Sequence, residues 1–220
     1  MPPERLEELV AAYQRAGCPV QPPVGWRRQP WRLRMPEHAA ILDALPSLLD
    51  RAEVRARAEA PQDPEGALRG FLAVMVWGFG HTGYGPWRVQ SAVDATPDLP
   101  EVLLESARRA ATDPVAGYRL LAERRPRRIG PAFATKYLHF AVPISAAAPL
   151  ILDRVVAGWL STHARVRLDP GRWSPPTYER YLACVDGWAA DLKVLPALLE
   201  ELIFRDAAGG QWAAPQVLGR

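Results

Sequence analysis

The chain has 220 residues, of which 49% are hydrophobic and 23% charged, a composition that predicts a folded domain with a packed core. Its net charge is only +3. The two cysteines and four histidines show no metal-binding spacing, so we expect no metal site, and we expect no other cofactor. The longest apolar run, 140–152, is too short to span a membrane and is interrupted by prolines. The N-terminus is acidic, whereas a signal peptide begins with basic residues. Both observations predict a cytoplasmic protein.

Alanine, leucine, arginine and glutamate dominate the sequence, and alternating β-branched residues are scarce. This pattern predicts an all-α protein, with glycine and proline clusters separating its helices. We expect one domain over 1–220. The ten predicted helices are 3–16, 37–59 (with a possible bend at Pro46), 64–79, 86–95, 99–111, 114–123, 130–141, 153–163, 175–191 and 196–207.

Two clusters of arginine indicate where the chain meets a partner. The first interleaves arginine with tryptophan and comprises Trp26, Arg27, Arg28, Trp31, Arg32 and Arg34. The second comprises Arg119, Arg124, Arg125, Arg127 and Arg128. Guanidinium groups pair with phosphates and aromatic rings stack on bases, so both clusters favour nucleic-acid binding. The alternative for each cluster is an ordinary charged face in contact with solvent.

A glycine-rich loop at 78–86 separates two predicted helices. It contains four glycines together with Phe79, His81 and Tyr84, and Trp87 and Arg88 follow it directly. A tight turn between helices needs only one or two glycines, so this loop favours close approach to another molecule. It lacks the GKS or GKT sequence of a phosphate-binding loop.

Lysine is rare in this chain and therefore informative. Of the 27 lysine and arginine residues only Lys136 and Lys193 are lysine. Arginine keeps its proton in proteins, whereas a desolvated lysine can lose it and become a nucleophile. Lys136 lies in an apolar segment, with Phe133 and Phe140 at helical spacing on either side. It is a candidate catalytic amine, the alternative being a lysine whose stem packs on apolar neighbours while its head reaches water.

An aspartate follows Lys136 after seventeen residues and opens the next predicted helix. Asp153 comes directly after an apolar run, a position where aspartate commonly caps a helix by accepting hydrogen bonds from free backbone amides. Capping does not exclude a second role, because a capping carboxylate can also face a cleft.

The order of these features resembles that of the helix-hairpin-helix DNA glycosylases, in particular their 8-oxoguanine glycosylase branch. The hairpin and lysine correspond to IGPAFATK (129–136), and the aspartate to LILDRVV (150–156). The stretch at 71–93 resembles the family segment that enters the duplex beside the extruded nucleotide. Region 71–160 therefore carries the resemblance, which implies a helical fold with its active site in a cleft between two lobes.

The resemblance also implies which residues contact the substrate. Arg88 falls where the family contacts the orphaned partner base, and Tyr84 and Trp87 could fill the gap in the stack. The further implied DNA contacts are Arg127, Arg128 and Arg154. The implied base pocket comprises Phe133, Phe140, Trp188 and Phe204.

This sequence departs from the family pattern at several positions. Ala132 and Ala134 replace hairpin glycines, Leu152 replaces the glycine or proline that usually precedes the aspartate, and the chain is too short for the sheet-rich N-terminal domain of larger members. The lysine–aspartate pair is retained, but the departures leave the target base open.

The resemblance predicts a monomeric DNA glycosylase that binds double-stranded DNA containing a modified base. Lys136 would be its nucleophile and Asp153 its assisting carboxylate, with strand-cleaving lyase activity as a possible second step. The target is either oxidised guanine, in repair, or a modified base in phage DNA, in antiviral defence. Two alternatives are a non-catalytic helical DNA-binding module that retains the fold and a helical protein-interaction adaptor.

Overall fold

A computed structural model describes residues 1–145 and 147–209, and helices account for most of them. The all-α prediction is confirmed. Residues 210–220 of the predicted domain lie outside the described residues. The helices are α1 (Glu4–Arg15), α2 (Arg28–Arg34), α3 (Ala39–Asp43), α4 (Arg51–Ala58), α5 (Pro64–Phe79), α6 (Gly85–Asp94), α7 (Leu99–Thr112), α8 (Pro114–Arg124), α9 (Pro131–Ala141), α10 (Arg154–His163), α11 (Pro175–Leu192) and α12 (Pro196–Ala207).

Aspartate and proline residues determine where many of these helices begin. Asp50, Asp63 and Asp153 each accept a hydrogen bond from a backbone N–H in the first turn of α4, α5 and α10. Proline occupies the first or second position of α5 to α9, α11 and α12, where its missing N–H costs no helical hydrogen bond. These local signals explain why every predicted helix after residue 60 matches its observed bounds to within one residue.

The prediction of one continuous helix over 37–59 is wrong. The structure has a 3-10 turn at Pro36–His38, the short α3, and then an extended segment, Leu48–Leu49 (β2), before α4. β2 pairs antiparallel with Val24–Gly25 (β1), with Val24 opposite Leu49. Pro46 ends the helical stretch, and the pairing partner lies more than twenty residues earlier, so helical periodicity alone could not reveal it.

Helix α2 was missed by the sequence analysis. Its Pro30 stands in the first turn, where a proline is tolerated. The indole of Trp26, just before α2, donates a hydrogen bond of 2.7 Å to the carbonyl of Pro46 and so ties this segment to the end of the α3 region.

Helix α5 forms the centre of the molecule. Ten of its 16 residues are buried, and it packs against α4, α7 and α9. Gly70 makes this close packing possible, because a Cβ at this position would lie 2.7 Å from the backbone of Ala58 in α4. Lys136 lies on α9, so α5 also holds the candidate catalytic helix in place. None of the helices in the described ranges is long and apolar enough to cross a membrane.

Candidate active site

Lys136 and Asp153 form a close ion pair at the junction of α9 and α10. The Nζ atom of Lys136 lies 2.5 Å from Oδ2 of Asp153, and each side chain is only 12% exposed. Lys136 projects from the middle of α9, whereas Asp153 is the residue that caps α10. The fold therefore brings together the two residues that the sequence singled out.

The two oxygens of the Asp153 carboxylate have different partners. Oδ1 accepts hydrogen bonds from the backbone amides of Val155 at 2.9 Å and Val156 at 3.1 Å, while Oδ2 faces Lys136. Burial alone would raise the pKa of the Asp153 carboxyl. The positive charge of Lys136, its hydrogen bond and the hydrogen bonds from the two backbone amides lower this pKa by more, so it lies below the ordinary value. Asp153 is thus held as a carboxylate, and capping a helix does not conflict with contact to Lys136.

A second hydrogen bond joins the residues that precede the pair. The backbone N–H of Leu152 donates to Oγ1 of Thr135 over 3.1 Å, and both residues are buried. Thr135 and Leu152 stand immediately before Lys136 and Asp153, so the two contacts lie side by side. Together they fix the register of α9 against the start of α10.

Buried side chains also hold the extended segment 149–152 that leads to Asp153. His139 Nδ1 lies 2.9 Å from the carbonyl oxygen of Pro149. Tyr178 donates to the carbonyl of Leu150 at 2.9 Å and accepts from its amide at 3.1 Å, and Tyr181 donates to Ile151 at 2.8 Å. Because buried backbone groups without partners are costly, these bonds restrict the segment to one path.

His139 links this segment to a buried network of charges. Since the carbonyl of Pro149 can only accept, Nδ1 carries the hydrogen and Nε2 accepts from Arg51 and Arg55, each at 3.3 Å. Desolvation, with the nearby Arg51 and Arg55, lowers the pKa of His139 well below its ordinary value, so the ring is neutral. Arg51 also donates to the fully buried Glu200 at 2.8 and 3.2 Å.

The aromatic surroundings of Lys136 are centred on Phe133. The Phe133 ring stacks on Phe79 with centroids 4.7 Å apart, and the Lys136 amine lies 5.9 Å from its centroid. Gly78 lies beside both side chains, since a Cβ there would be in van der Waals contact, at 3.6 Å, with Lys136 and with Phe133. Arg88 lies 5.5 Å from the same ring, so Phe133 connects the glycine-rich loop to the lysine.

The start of α6, directly after the glycine-rich loop, is tied to the turn between α8 and α9, residues 125–130, which we call the hairpin turn. Arg88 donates to the carbonyl of Arg128 at 2.8 Å, and the Arg128 guanidinium lies 5.0 Å from the centroid of Trp87. Trp87 in turn contacts Tyr84, whose side chain is 48% exposed. Gly80 ends α5 with φ +52°, a conformation that favours glycine.

Three residues predicted for the base pocket belong to the packed core or lie against it. Phe140 is completely buried and packs against Trp77 with centroids 5.1 Å apart, so its assignment to the base pocket is not supported. Trp188 is also a core residue, and Phe204 packs against that core. Their rings contribute to the packing of α11 and α12, which leaves Phe133 as the predicted pocket residue seen beside Lys136.

The remaining predicted DNA contacts, Arg127, Arg128 and Arg154, are exposed. Sequence reasoning missed the supporting residues Thr135, His139, Tyr178 and Tyr181. For Tyr178 and Tyr181 a signal existed, because two tyrosines three residues apart on an apolar helix face must bury their hydroxyl groups beside acceptors. No group of three or more histidine, cysteine, aspartate or glutamate residues within 1–145 and 147–209 is arranged to hold a metal ion.

An all-α fold that joins a lysine on one helix to an aspartate capping the next, beside a glycine-rich aromatic loop, defines a DNA glycosylase-like protein. The comparison with protein families agrees: residues 17–204 match the family described as "Putative 8-oxoguanine DNA glycosylase OGG-like protein". The chain belongs to this OGG-like family, and family membership implies DNA binding. Searches among curated proteins and among solved structures gave no match.

Proposed function

We propose that the protein is a DNA glycosylase in which Lys136 attacks the sugar of an extruded nucleotide with assistance from Asp153. The observation that carries this proposal is the 2.5 Å contact between Lys136 Nζ and Asp153 Oδ2 in a largely buried site. A surface lysine that served only for charge would not need a carboxylate partner fixed by two backbone amides. The target nucleotide must leave the stack first, because the sugar carbon is not accessible within a duplex.

The chemical step accounts for every proton. The bond between the sugar C1′ and the base breaks, and its electron pair leaves with the base. The nitrogen of Lys136 forms a new bond to C1′ after its proton passes to Asp153, and Asp153 then passes this proton to the departing base. Asp153 is neutral while it holds this proton and ends the step as a carboxylate, whose regained charge stabilises the positively charged lysine–sugar adduct.

The lysine–sugar adduct has two possible fates. Water can displace the lysine and leave an abasic site, which completes a simple glycosylase reaction. Alternatively, the sugar ring opens to a Schiff base, from which elimination cleaves the strand and gives lyase activity. Water then hydrolyses the Schiff base and releases the amine, so both routes regenerate Lys136 and one active site supports either outcome.

The surrounding residues fit roles in holding an opened duplex. Tyr84 and Trp87 would occupy the space that the extruded nucleotide leaves, and Arg88 would contact the orphaned base. The exposed arginines Arg127, Arg128 and Arg154 would bind phosphates, and the half-buried Phe133 would form one wall of the base pocket. The substrate that we propose is either oxidised guanine or a modified base of phage DNA.

Borohydride trapping tests this proposal directly. The protein is incubated with oligonucleotides that each carry one modified base, and with modified phage DNA, and abasic sites are quantified with and without the reductant. We expect base release from one substrate class and a covalent protein–DNA adduct that requires Lys136. DNA binding with neither release nor adduct on any substrate would instead identify a non-catalytic DNA-binding module.

A further inference from the structure

The arginine-rich helix α2 has no assigned role in the chemistry described above. Trp26 and Trp31 are buried, so the predicted stacking of these rings on bases is wrong. The arginines behave differently, because Arg27, Arg32 and Arg34 are exposed. The tryptophans therefore anchor the segment and leave the guanidinium groups in solvent.

The anchor places α2 directly against the helix that follows the glycine-rich loop. Helix α2 packs on α6, and a Cβ at Gly85 would lie 3.1 Å from the Trp31 ring. Trp31 also lies 6.5 Å from Phe79, the last residue of α5. Helix α2 thus flanks the loop whose aromatic residues we propose to enter the duplex.

Helix α2 and the hairpin turn both contact the first turn of α6, through different residues. A Cβ at Gly85 would face Trp31 of α2, whereas Trp87 and Arg88 contact Arg128 of the hairpin turn. The first turn of α6 is therefore flanked by two segments rich in arginine.

The charge around α2 suits a polyanion. Segment 27–34 contains four arginines, the nearest acidic residues in the sequence are Glu37 and Asp43, and Arg32 lies 3.5 Å from Asp43. Arg27 and Arg34 form no ion pair with any residue in 1–145 or 147–209, in contrast to exposed arginines such as Arg69 and Arg109, which pair with glutamates one turn away. A groove of about 590 Å³ runs along the helix and is lined by Arg28, Gln29, Arg32, Leu33, Pro36 and Ala39.

We infer that α2 binds the phosphate backbone of duplex DNA next to the first turn of α6, separately from the hairpin turn. The DNA is then held by two cationic surfaces, α2 and the hairpin turn, which resists closure of the opened stack. This inference rests on the proposed function only in requiring that the chain binds DNA, and it is independent of Lys136 chemistry. A neutralised phosphate releases counterions, so each contact contributes to the salt dependence of binding.

The test uses the triple variant Arg27→Gln, Arg32→Gln, Arg34→Gln and a 25-base-pair duplex with a central tetrahydrofuran abasic analogue. Affinity is measured across a range of salt concentrations. Each phosphate contact contributes a slope of about −0.9, so we expect the slope of log affinity against log salt to become shallower by about 2 to 3. In a hydroxyl-radical footprint we expect the variant to lose part of the backbone protection that the wild type gives around the abasic analogue.

The matched control is Arg15→Gln, Arg69→Gln, Arg109→Gln, which removes the same charge from exposed positions on α1, α5 and α7. It should leave the slope and the footprint unchanged. If the α2 triple variant does not fold, the single variants Arg27→Gln and Arg34→Gln replace it, each with an expected slope change of about 0.9. An unchanged slope and footprint would overturn the inference while leaving the glycosylase proposal intact, whereas wild type that bound no DNA would overturn both.

Discussion

At the scale of single residues, one carboxylate contributes to both stability and chemistry. Asp153 uses Oδ1 to cap α10 and Oδ2 to contact Lys136, so a substitution can remove one function and retain the other. Lys136 does not have two separable roles of this kind, because it contacts Asp153 through its amine alone. Substitutions at Lys136 and Asp153 therefore distinguish the contributions of the nucleophile, the carboxylate and the helix cap.

Lys136→Gln should abolish base release and leave DNA affinity within about threefold of wild type, because the amide cannot form the sugar adduct. Lys136→Arg should also be inactive, since arginine does not supply a neutral amine. Single-turnover excision and borohydride trapping measure both effects. Lys193→Gln, at the other and exposed lysine, is the matched control and should retain full activity. Near-normal excision by Lys136→Gln would refute the nucleophile assignment.

Asp153→Asn should lower the excision rate by a factor on the order of 10² or more while changing thermal stability little. Asparagine caps helices about as well as aspartate but carries no charge to stabilise the sugar cation or accept a proton. Asp153→Ala should lose both activity and the cap, at a cost of about 1 kcal/mol. Comparable unfolding of both variants, with activity lost only through instability, would show that Asp153 is purely structural.

At the scale of secondary-structure elements, the site depends on the register between α9 and the segment before α10. The bond between Thr135 and the Leu152 amide sets this register, and it lies one residue from each member of the Lys136–Asp153 pair. The start of α6 is likewise fixed to the hairpin turn through Arg88 and Arg128. In both cases, contacts between two elements that are distant in the sequence fix the positions of the candidate site residues.

Thr135→Val should lower the single-turnover rate about tenfold or more without a comparable change in DNA affinity. Valine preserves the shape of threonine but leaves the Leu152 amide without its acceptor, so the Asp153 carboxylate loses its alignment with Lys136. Thr135→Ser restores the hydroxyl and should recover most of the rate. The single-turnover rates of the two variants are compared at equal fractions of folded protein. A Ser variant as slow as the Val variant would show that the methyl group, and not the hydrogen bond, matters.

Trp87→Ala should slow excision from a fully paired duplex far more than from a mispaired or single-stranded version of the same substrate. Extruding a nucleotide costs a few kcal/mol, which an inserted side chain partly offsets, and this cost is smaller when the base is already unpaired. Single-turnover rates on paired and unpaired substrates measure the ratio. Lys136→Gln should fail equally on both. Equal losses for Trp87→Ala on both substrates would instead place Trp87 in the base pocket or the core.

At the scale of the whole molecule, the sequence predicted those features that depend on local signals. Helix bounds after residue 60 follow from capping residues and prolines, and Lys136 stood out because the chain otherwise uses arginine. The pairing of Lys136 with Asp153 came from family resemblance. The segment at 37–59 and the buried network could not be predicted, because their partners lie far apart in the chain. Arg51 and Glu200, for example, are 149 positions apart.

That buried network connects α4, α9 and α12, and His139 makes the stability of the whole fold depend on pH. Its folded-state pKa lies well below the ordinary value of 6.5, because the ring is desolvated and faces Arg51 and Arg55. Below pH 6.5 the unfolded chain therefore binds a proton that the folded chain does not. The free energy of unfolding should fall as the pH decreases from about 6.5 toward the folded-state pKa, by up to about 1.4 kcal/mol per pH unit.

His139→Asn should remove this dependence while lowering stability at neutral pH, because asparagine does not titrate and does not reproduce all of the ring contacts. Between pH 7 and pH 5 the wild type should lose more stability than the variant, by up to about 2 kcal/mol, measured by urea unfolding at several pH values. Glu200 is present in both proteins, so its titration largely cancels in the difference. His163→Asn, a change at an exposed ring, should keep the wild-type pH dependence. Parallel curves for wild type and His139→Asn would mean that the ring is not held neutral in the folded protein, and that another group causes any loss of stability in acid.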